Sequence, residues 1–161
     1  MLYEEAVRRG IDVSEFVIME LTKALNLDPE TTVRVRLELA IKYLDEGEGL
    51  VDKDPVQASE KLYKAVEEVV KALAIYYDLR DVLASVNERG KWTVTELEKA
   101  ALALSRRLGD WFIMAWDAAN YLHVWGFHEA KLDGEDVRAR LPQIKSIVNE
   151  AQKTLQATNR Q

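Results

Sequence analysis

The fold is decided by residues 56–77, which read VQASEKLYKAVEEVVKALAIYY. At about 100° per residue, the apolar side chains cover roughly twice the arc that a surface helix needs. They are Ala58, Leu62, Tyr63, Ala65, Val66, Val69, Val70, Leu73, Ala74, Tyr76 and Tyr77. We therefore predict a central helix that packs on two or three neighbouring helices. Asp54 can cap this helix and Pro55 fits its first turn.

The polar side chains of the same stretch are confined to the remaining arc of the helix. They are Gln57, Glu60, Lys61, Lys64, Glu67, Glu68 and Lys71. Because lysines and glutamates are interleaved along this arc, the pattern predicts a solvated face rather than a basic patch.

Composition limits the function classes. The 161 residues are 48% hydrophobic and include no cysteine, which predicts one globular domain without disulfides or thiolate chemistry. The apolar runs are far shorter than a membrane span and the first residues lack a signal peptide, so we expect a cytoplasmic protein. The charge of −6 lies in residues 1–55, which argues against nucleic-acid binding. Many charged residues and no cysteine also suit a thermophile.

The remaining chain predicts an all-α fold, an antiparallel up-and-down four-helix bundle over residues 28–161, preceded by a helical extension over residues 1–27. In the extension, Gly10 ends one short helix, and Asp12 with Glu15 has the spacing of a capping box that begins a second. We expect this second helix to dock on the bundle, or on a partner chain, by its apolar side. That side carries Phe16, Val17, Leu21 and Leu25.

The bundle helices are delimited by turn and capping signals. The short corner before Pro55 predicts an antiparallel pair of helices. Thr93 and Glu96, or Thr95 and Glu98, can form a capping box, and Gly109 ends that helix. The last segment has a heptad seam that suits packing along another long helix, although Pro142 predicts a kink or a restart. The seam consists of Val137, Leu141, Ile144, Val148, Ala151 and Leu155.

The candidate site lies on the helix predicted over residues 111–127, WFIMAWDAANYLHVWGF, which is apolar nearly all round. Its polar stripe and the residues that follow are Asp117, Asn120, His123, His128 and Glu129. Such a stripe either lines an acid–base or ligand-binding site or forms a hydrogen-bonded layer that fixes the packing. In an α-helix the two histidines point about 140° apart, so they cannot ligate one ion together. We predict no metal and no cofactor.

Two blocks resemble the PaREP family of archaeal proteins: VQASEKLYKAVEEVVKALA at residues 56–74 and GDWFIMAWDAANYLHVWGFHEAKL at residues 109–132. The preceding DPETTVRVRLELAIKYLDEGEGLVDKD fits too, so the resemblance spans roughly residues 28–148. This family is similar in turn to the HEPN group and to the helical substrate-binding domains that accompany nucleotidyltransferases. The resemblance implies a four-helix bundle with extra helices, usually dimeric.

HEPN ribonucleases carry an arginine and, after four to six intervening residues, a histidine. Here His123 stands where that arginine would be, if His128 is the histidine of the motif. If His123 is that histidine, the arginine would fall at residues 116–118, and none of these is arginine. We therefore expect a non-enzymatic, homodimeric binding module with a polar pocket near the histidines. The alternative is a degenerate HEPN-type ribonuclease or nucleotide-binding protein, and a nucleotidyltransferase-type protein is a possible partner.

Overall fold

The computed structural model describes residues 1–158, and this part of the chain contains eight α-helices, one π-helical segment and no strand. The elements are α1 Leu2–Arg8, α2 Val13–Ala24, α3 Pro29–Leu50, α4 Pro55–Tyr76, α5 Arg80–Arg89, α6 Val94–Leu108, α7 Asp110–Tyr121, the π-helical segment Leu122–His128 and α8 Gly134–Thr158. The predicted all-α fold is confirmed; the last three residues of the predicted domain 28–161 lie outside the described residues. None of the described helices is long and apolar enough to cross a membrane.

Helix α4 is the centre of the fold. It contacts α3, α5, α6, α7, the π-helical segment and α8, as its wide apolar face predicts. Most of that face is completely buried, and the Asp54 side chain accepts a hydrogen bond from the Gln57 N–H at 3.0 Å. Burial on several sides fixes α4 as the core element against which the other helices pack.

Helices α3 and α4 form an antiparallel pair. Glu46 pairs with Lys61 at 2.6 Å, and Arg36, further back in α3, pairs with Glu68, further on in α4. Gly47 allows the close approach, because a Cβ at this position would lie 2.8 Å from the Leu62 side chain. A glycine inside a helix lowers its stability, and at this position it allows the two helices to pack closely.

The later helices follow the predicted signals in most places. Thr93 and Glu96 form the capping box of α6, and Gly109, at φ 112°, separates α6 from α7. Helix α8 packs its heptad seam on α3, α4 and α7. It continues through Pro142, so the predicted restart is wrong. Pro142 is exposed, so the lost backbone hydrogen bond lies on the solvent side of the helix.

The helix predicted over residues 111–127 changes its winding at Leu122. From there the backbone bonds span five residues, as in a π-helix; the Glu129 N–H donates to the Val124 carbonyl at 2.9 Å. Gly126 is buried against α4, where an added Cβ would lie 2.1 Å from Ser59 Oγ. The wider turn therefore coincides with a very close contact between this segment and α4.

Helix α2 meets the bundle by the side opposite to the predicted one. Phe16, Val17, Leu21 and Leu25 are 45–63% exposed, so docking on the bundle through them is wrong. The half-buried positions instead recur at helical spacing, at Glu15, Ile18, Met19 and Thr22. Asp12 caps α2 as predicted, accepting from the Glu15 N–H at 3.0 Å. The Glu15 carboxylate does not complete the capping box, because it reaches α3 and α4.

Candidate functional site

A cavity of about 560 Å³ lies between α2, α4 and the start of α6. One wall is formed by α2 and the turn before it, another by α4, and a third by the start of α6 with its preceding loop. Its lining residues are Arg9, Gly10, Ile11, Asp12, Glu15, Phe16, Met19, Glu20, Glu60, Tyr63, Lys64, Glu67, Gly90, Lys91, Trp92, Thr93, Val94, Leu97 and His123. Of the five predicted site residues, only His123 lines this cavity.

His123 is held in place by two residues of α4. Its Nδ1 lies 2.8 Å from Glu60 Oε2, and its ring stacks on Tyr63 at a centroid distance of 4.0 Å. An ionised carboxylate can only accept, so Nδ1 carries a proton in this hydrogen bond. The contact with Glu60 thereby fixes both the tautomer and the ring plane of His123, as a functional histidine requires.

The π-helical winding brings the two histidines together. His123 Nε2 and His128 Nε2 are 3.1 Å apart, whereas the α-helical prediction placed these side chains about 140° apart. That prediction is wrong because residues five apart lie close together across a turn of π-helix. When the ring proton of His123 is on Nδ1, facing Glu60, its Nε2 can accept a hydrogen bond from His128 Nε2. A short chain of polar groups thus runs from Glu60 to exposed His128.

The other predicted site residues lie apart from the cavity. Asn120 Nδ2 donates to Glu98 Oε1 at 3.2 Å, and Trp116 Nε1 donates to the same oxygen at 3.0 Å. This is the predicted packing layer, with its acceptor on α6. Asp117 and Glu129 are exposed and do not line the cavity. The polar stripe therefore splits between a structural contact and the histidine pair, since the winding changes between Asn120 and His123.

Every lining residue other than His123 was missed as a site residue by the sequence prediction, among them Glu60, Tyr63, Lys64 and Trp92. The positions of these four on α4 and in the loop before α6 carry no local pattern that links them to His123. The one available signal was Gly126, because a glycine inside an apolar helical stretch often marks a close backbone approach. It did not specify the π-helical winding that brings the histidines together.

The electrostatics of the cavity are set by paired charges. Lys64 Nζ lies 3.3 Å from Asp12 Oδ2, which joins α4 to the start of α2. Burial of the Tyr63 phenol, together with the nearby Glu67 carboxylate, raises the pKa of this tyrosine well above its usual value. Tyr63 is therefore a neutral hydrogen-bonding group at any ordinary pH. Within residues 1–158, no group of three His, Asp or Glu side chains is placed to hold a metal ion.

The polar arc of α4 is not the solvated face that its charge pattern predicts. Glu68 is 5% exposed and Lys71 is 2% exposed, and both contact Arg36 or Glu15 across the interface with α3 and α2. The prediction of a solvated face is wrong for these two residues, because their partners come from sequence-distant helices. Lys61 and Lys64 keep partial exposure, as expected of that arc.

Comparison with known proteins gives consistent results. The sequence model of the archaeal PaREP1/PaREP8 family matches residues 35–148. A crystal structure of a protein from Sulfolobus solfataricus is 35% identical and covers 73% of this chain and 96% of its own, with a TM-score of 0.68. A solution structure of a structural-genomics target is 36% identical and covers 72% of this chain and 90% of its own, with a TM-score of 0.64. No curated protein matches the chain. The chain belongs to the archaeal PaREP1/PaREP8 family, as its two sequence blocks predicted.

Proposed function

We propose that this chain is a non-enzymatic helical binding module whose ligand site is the cavity between α2, α4 and α6. The observation that carries the proposal is the convergence of the Glu60–His123 pair with Tyr63 and Trp92 on one cavity of about 560 Å³. Ligand pockets commonly measure about 300–1,000 Å³ and combine apolar walls with a few placed polar groups. The cavity has both properties.

The charges of the lining favour one class of ligand. Five carboxylates line the cavity, against three cations: Asp12, Glu15, Glu20, Glu60 and Glu67 face Arg9, Lys64 and Lys91. The carboxylates of Glu15 and Glu67 are neutralised by Arg36 and Lys71, which lie outside the lining. Glu60, beside His123, therefore disfavours a phosphate group, and aromatic walls favour flat or cationic compounds. The ligand we propose is therefore a small aromatic compound with a positive or zero charge. We expect a nucleotide to bind this cavity more weakly than such a compound.

A series of probes that differ in charge tests this assignment. Benzylamine, benzyl alcohol and benzoate share one ring but are positive, neutral and negative at neutral pH. We expect ligand-observed NMR to show binding in the order benzylamine, benzyl alcohol, benzoate. Glu60→Gln should weaken benzylamine binding several-fold, because it removes the negative charge of the carboxylate that contacts His123. Glu48→Gln on α3 changes a carboxylate outside the cavity and should leave binding unchanged. Equal binding of the three probes, or tightest binding of benzoate, would contradict the proposal.

We also propose a HEPN-like four-helix arrangement, a homodimer and a cytoplasmic protein. The antiparallel α3–α4 pair and the long α8 beside it support the HEPN-like arrangement. Support for a dimer comes from large apolar side chains exposed on α7 and the π-helical segment: Met114, Tyr121, Val124 and Trp125. Light scattering should then give about twice the chain mass of 18.4 kDa. A monomer at high concentration would exclude the homodimer and leave a nucleotidyltransferase-type protein as the proposed partner.

A degenerate HEPN-type ribonuclease is the second candidate, and the 3.1 Å contact between His123 and His128 favours it. Two adjacent imidazoles can serve as acid and base. They lack the permanent charge and planar fork with which arginine grips phosphate. We expect no cleavage of single-stranded RNA above a His123→Ala/His128→Ala double variant between about pH 5.5 and 8, a range centred on ordinary histidine titration. Cleavage that disappears in either single variant would favour the ribonuclease.

A further inference from the structure

A buried cluster of charges joins α2, α3 and α4. It contains three carboxylates, of Glu15, Glu67 and Glu68, and two cations, of Arg36 and Lys71. The side chains of Arg36 and Lys71 are 4% and 2% exposed. Cations buried this deeply require close partners, because desolvation of an unpaired charge is costly.

Glu15 occupies the cluster as a ligand would occupy a receptor. Arg36 Nη2 donates to Glu15 Oε1 at 2.9 Å, and Arg36 Nη1 donates to Oε2 at 3.1 Å. Lys71 Nζ donates to Oε2 at 2.8 Å. The planar guanidinium fork matches both oxygens of a carboxylate, and the ammonium adds a third charge-assisted bond. These three donors therefore form a geometrically complete receptor for one carboxylate.

The receptor and its occupant belong to different parts of the chain. Arg36 and Lys71 lie within residues 35–148, which match the PaREP1/PaREP8 family, whereas Glu15 comes from α2 before that range. Helix α2 has no buried residue, so little apolar burial opposes its release. Because α2 also forms a wall of the cavity, its release would open the cavity as well.

The occupant is not required for charge balance. Without Glu15, Arg36 still pairs with Glu68 at 2.9 Å, and Lys71 pairs with Glu67 at 2.7 Å. Burial raises the pKa of the Glu67 carboxyl, although the nearby Lys71 ammonium favours its charged form. Among the described residues, none accepts a hydrogen bond from the buried Nε of Arg36. Glu15 thus leaves one donor of the receptor unused.

We propose that Arg36 and Lys71 form a carboxylate-binding site of the bundle, that Glu15 fills this site within the same chain, and that a carboxylate of another molecule fills it when α2 is displaced. The ligand is a carboxylic acid or an acidic side chain. Arg36 and Lys71 do not line the cavity at His123, although Glu15 contacts both places, and neither proposal depends on the other.

Chemical rescue of Glu15→Ala in the full chain tests the site. Sodium acetate should raise the melting temperature of this variant in a saturable manner, by about 3 °C at ten times its dissociation constant. Acetamide has the same shape without charge and should give no saturable rise, nor should sodium chloride at equal ionic strength. The wild type should not respond, because Glu15 already occupies the site. Glu4→Ala removes an exposed carboxylate of α1 that does not line the cavity and is the control.

Two outcomes separate the proposal from a purely structural contact. We expect acetate to rescue Glu15→Ala and hydrogen exchange of the α2 amides to be faster in that variant than in the wild type. If acetate, acetamide and chloride act alike on a folded Glu15→Ala protein, there is no carboxylate site. If Glu15→Ala responds to none of them and α2 exchanges as in the wild type, Glu15 is not an occupant that holds α2 in place. The rise in melting temperature of Glu15→Ala with glutarate, compared with the rise with acetate, then shows whether a longer carboxylic acid binds the site more tightly.

Discussion

Helices α2 and α4 are both amphipathic, yet they are attached to the protein in different ways. Thirteen residues of α4 are buried, whereas α2 has none and exposes Phe16, Val17 and Leu21. Helix α4 is held mainly by apolar packing. Helix α2 is positioned by Glu15, whose carboxylate reaches the cations of α3 and α4. The orientation of α2 follows from this, because turning its apolar side inward would withdraw Glu15 from Arg36 and Lys71.

The difference implies that the attachment of α4 and the attachment of α2 respond differently to pH and to substitution. Apolar burial contributes roughly 25 cal/mol per Å² and changes little with pH, so α4 and its neighbours should unfold together. A contact made by charged hydrogen bonds depends on protonation and on each partner being present. Helix α2 should therefore be the part of the chain that is released first, and substitutions that remove either the apolar or the charged attachment test this.

The largest loss is expected for Arg36→Ala. This change leaves Lys71 as the remaining cation for half-buried Glu15 and buried Glu68. Removing one partner of a buried ion pair costs about 3–5 kcal/mol. Chemical denaturation measures the loss in the free energy of unfolding. Arg34→Ala, two residues earlier on the exposed side of α3, should change stability by less than about 0.5 kcal/mol. Equal losses in the two variants would show that the buried cluster contributes no more to the free energy of unfolding than an exposed arginine does.

Gly126→Ala should destabilise the apolar attachment by up to about 3 kcal/mol, because the new methyl group would overlap Ser59 on α4. Gly49→Ala is the matched control, since a Cβ there meets nothing within 4 Å and alanine favours the helix. Denaturation should therefore show a lower free energy of unfolding for Gly126→Ala and a higher one for Gly49→Ala, each relative to the wild type. A Gly126→Ala protein as stable as the wild type would mean that the π-helical segment does not pack closely on α4.

The parts of the fold that sequence predicted are those encoded locally. The period of residues 56–77 predicted the apolar face of α4. The capping box at the start of α6, Thr93 with Glu96, was one of the two that the residue spacing predicted. The heptad seam of α8 was equally visible, with Ile144 and Val148 fully buried. Each of these patterns depends on neighbours within one or two helical turns, which a single sequence displays directly.

The candidate site was predicted only in part, because its contacts join distant residues. His123 was found, but its partner Glu60 is 63 positions away. The approach of His128 depends on a π-helical turn that no local pattern specified. Lys71 looked solvent-exposed because Glu15, which contacts it, is 56 positions earlier. A charge pattern alone cannot distinguish an exposed arc from one covered by a complementary helix.

Acid should weaken the charged attachment selectively. Burial alone would raise the pKa of Glu15, but hydrogen bonds from Arg36 and the charge of Lys71 outweigh it and lower the pKa from 4.5 to about 2. A lowered pKa stabilises the folded state above pH 4.5, and this contribution disappears as the pH falls to about 2. Glu15→Gln should be less stable than the wild type by about 1–2 kcal/mol at neutral pH, with the gap closing in acid. Parallel pH profiles for these two proteins, measured by denaturation, would contradict this assignment.

The smallest effect is expected for serine in place of leucine on the exposed side of α2. Leu21 and Leu25 are 51% and 63% exposed, so Leu21→Ser and Leu25→Ser should change the stability of a single chain by less than about 0.5 kcal/mol. Denaturation at low protein concentration measures this. Light scattering of the same variants at high concentration then tests whether this side contacts a partner chain, because loss of a dimer with unchanged chain stability would place the contact there. A loss above about 2 kcal/mol in the single chain would instead mean that these leucines pack on the bundle and that Glu15 does not set the orientation of α2.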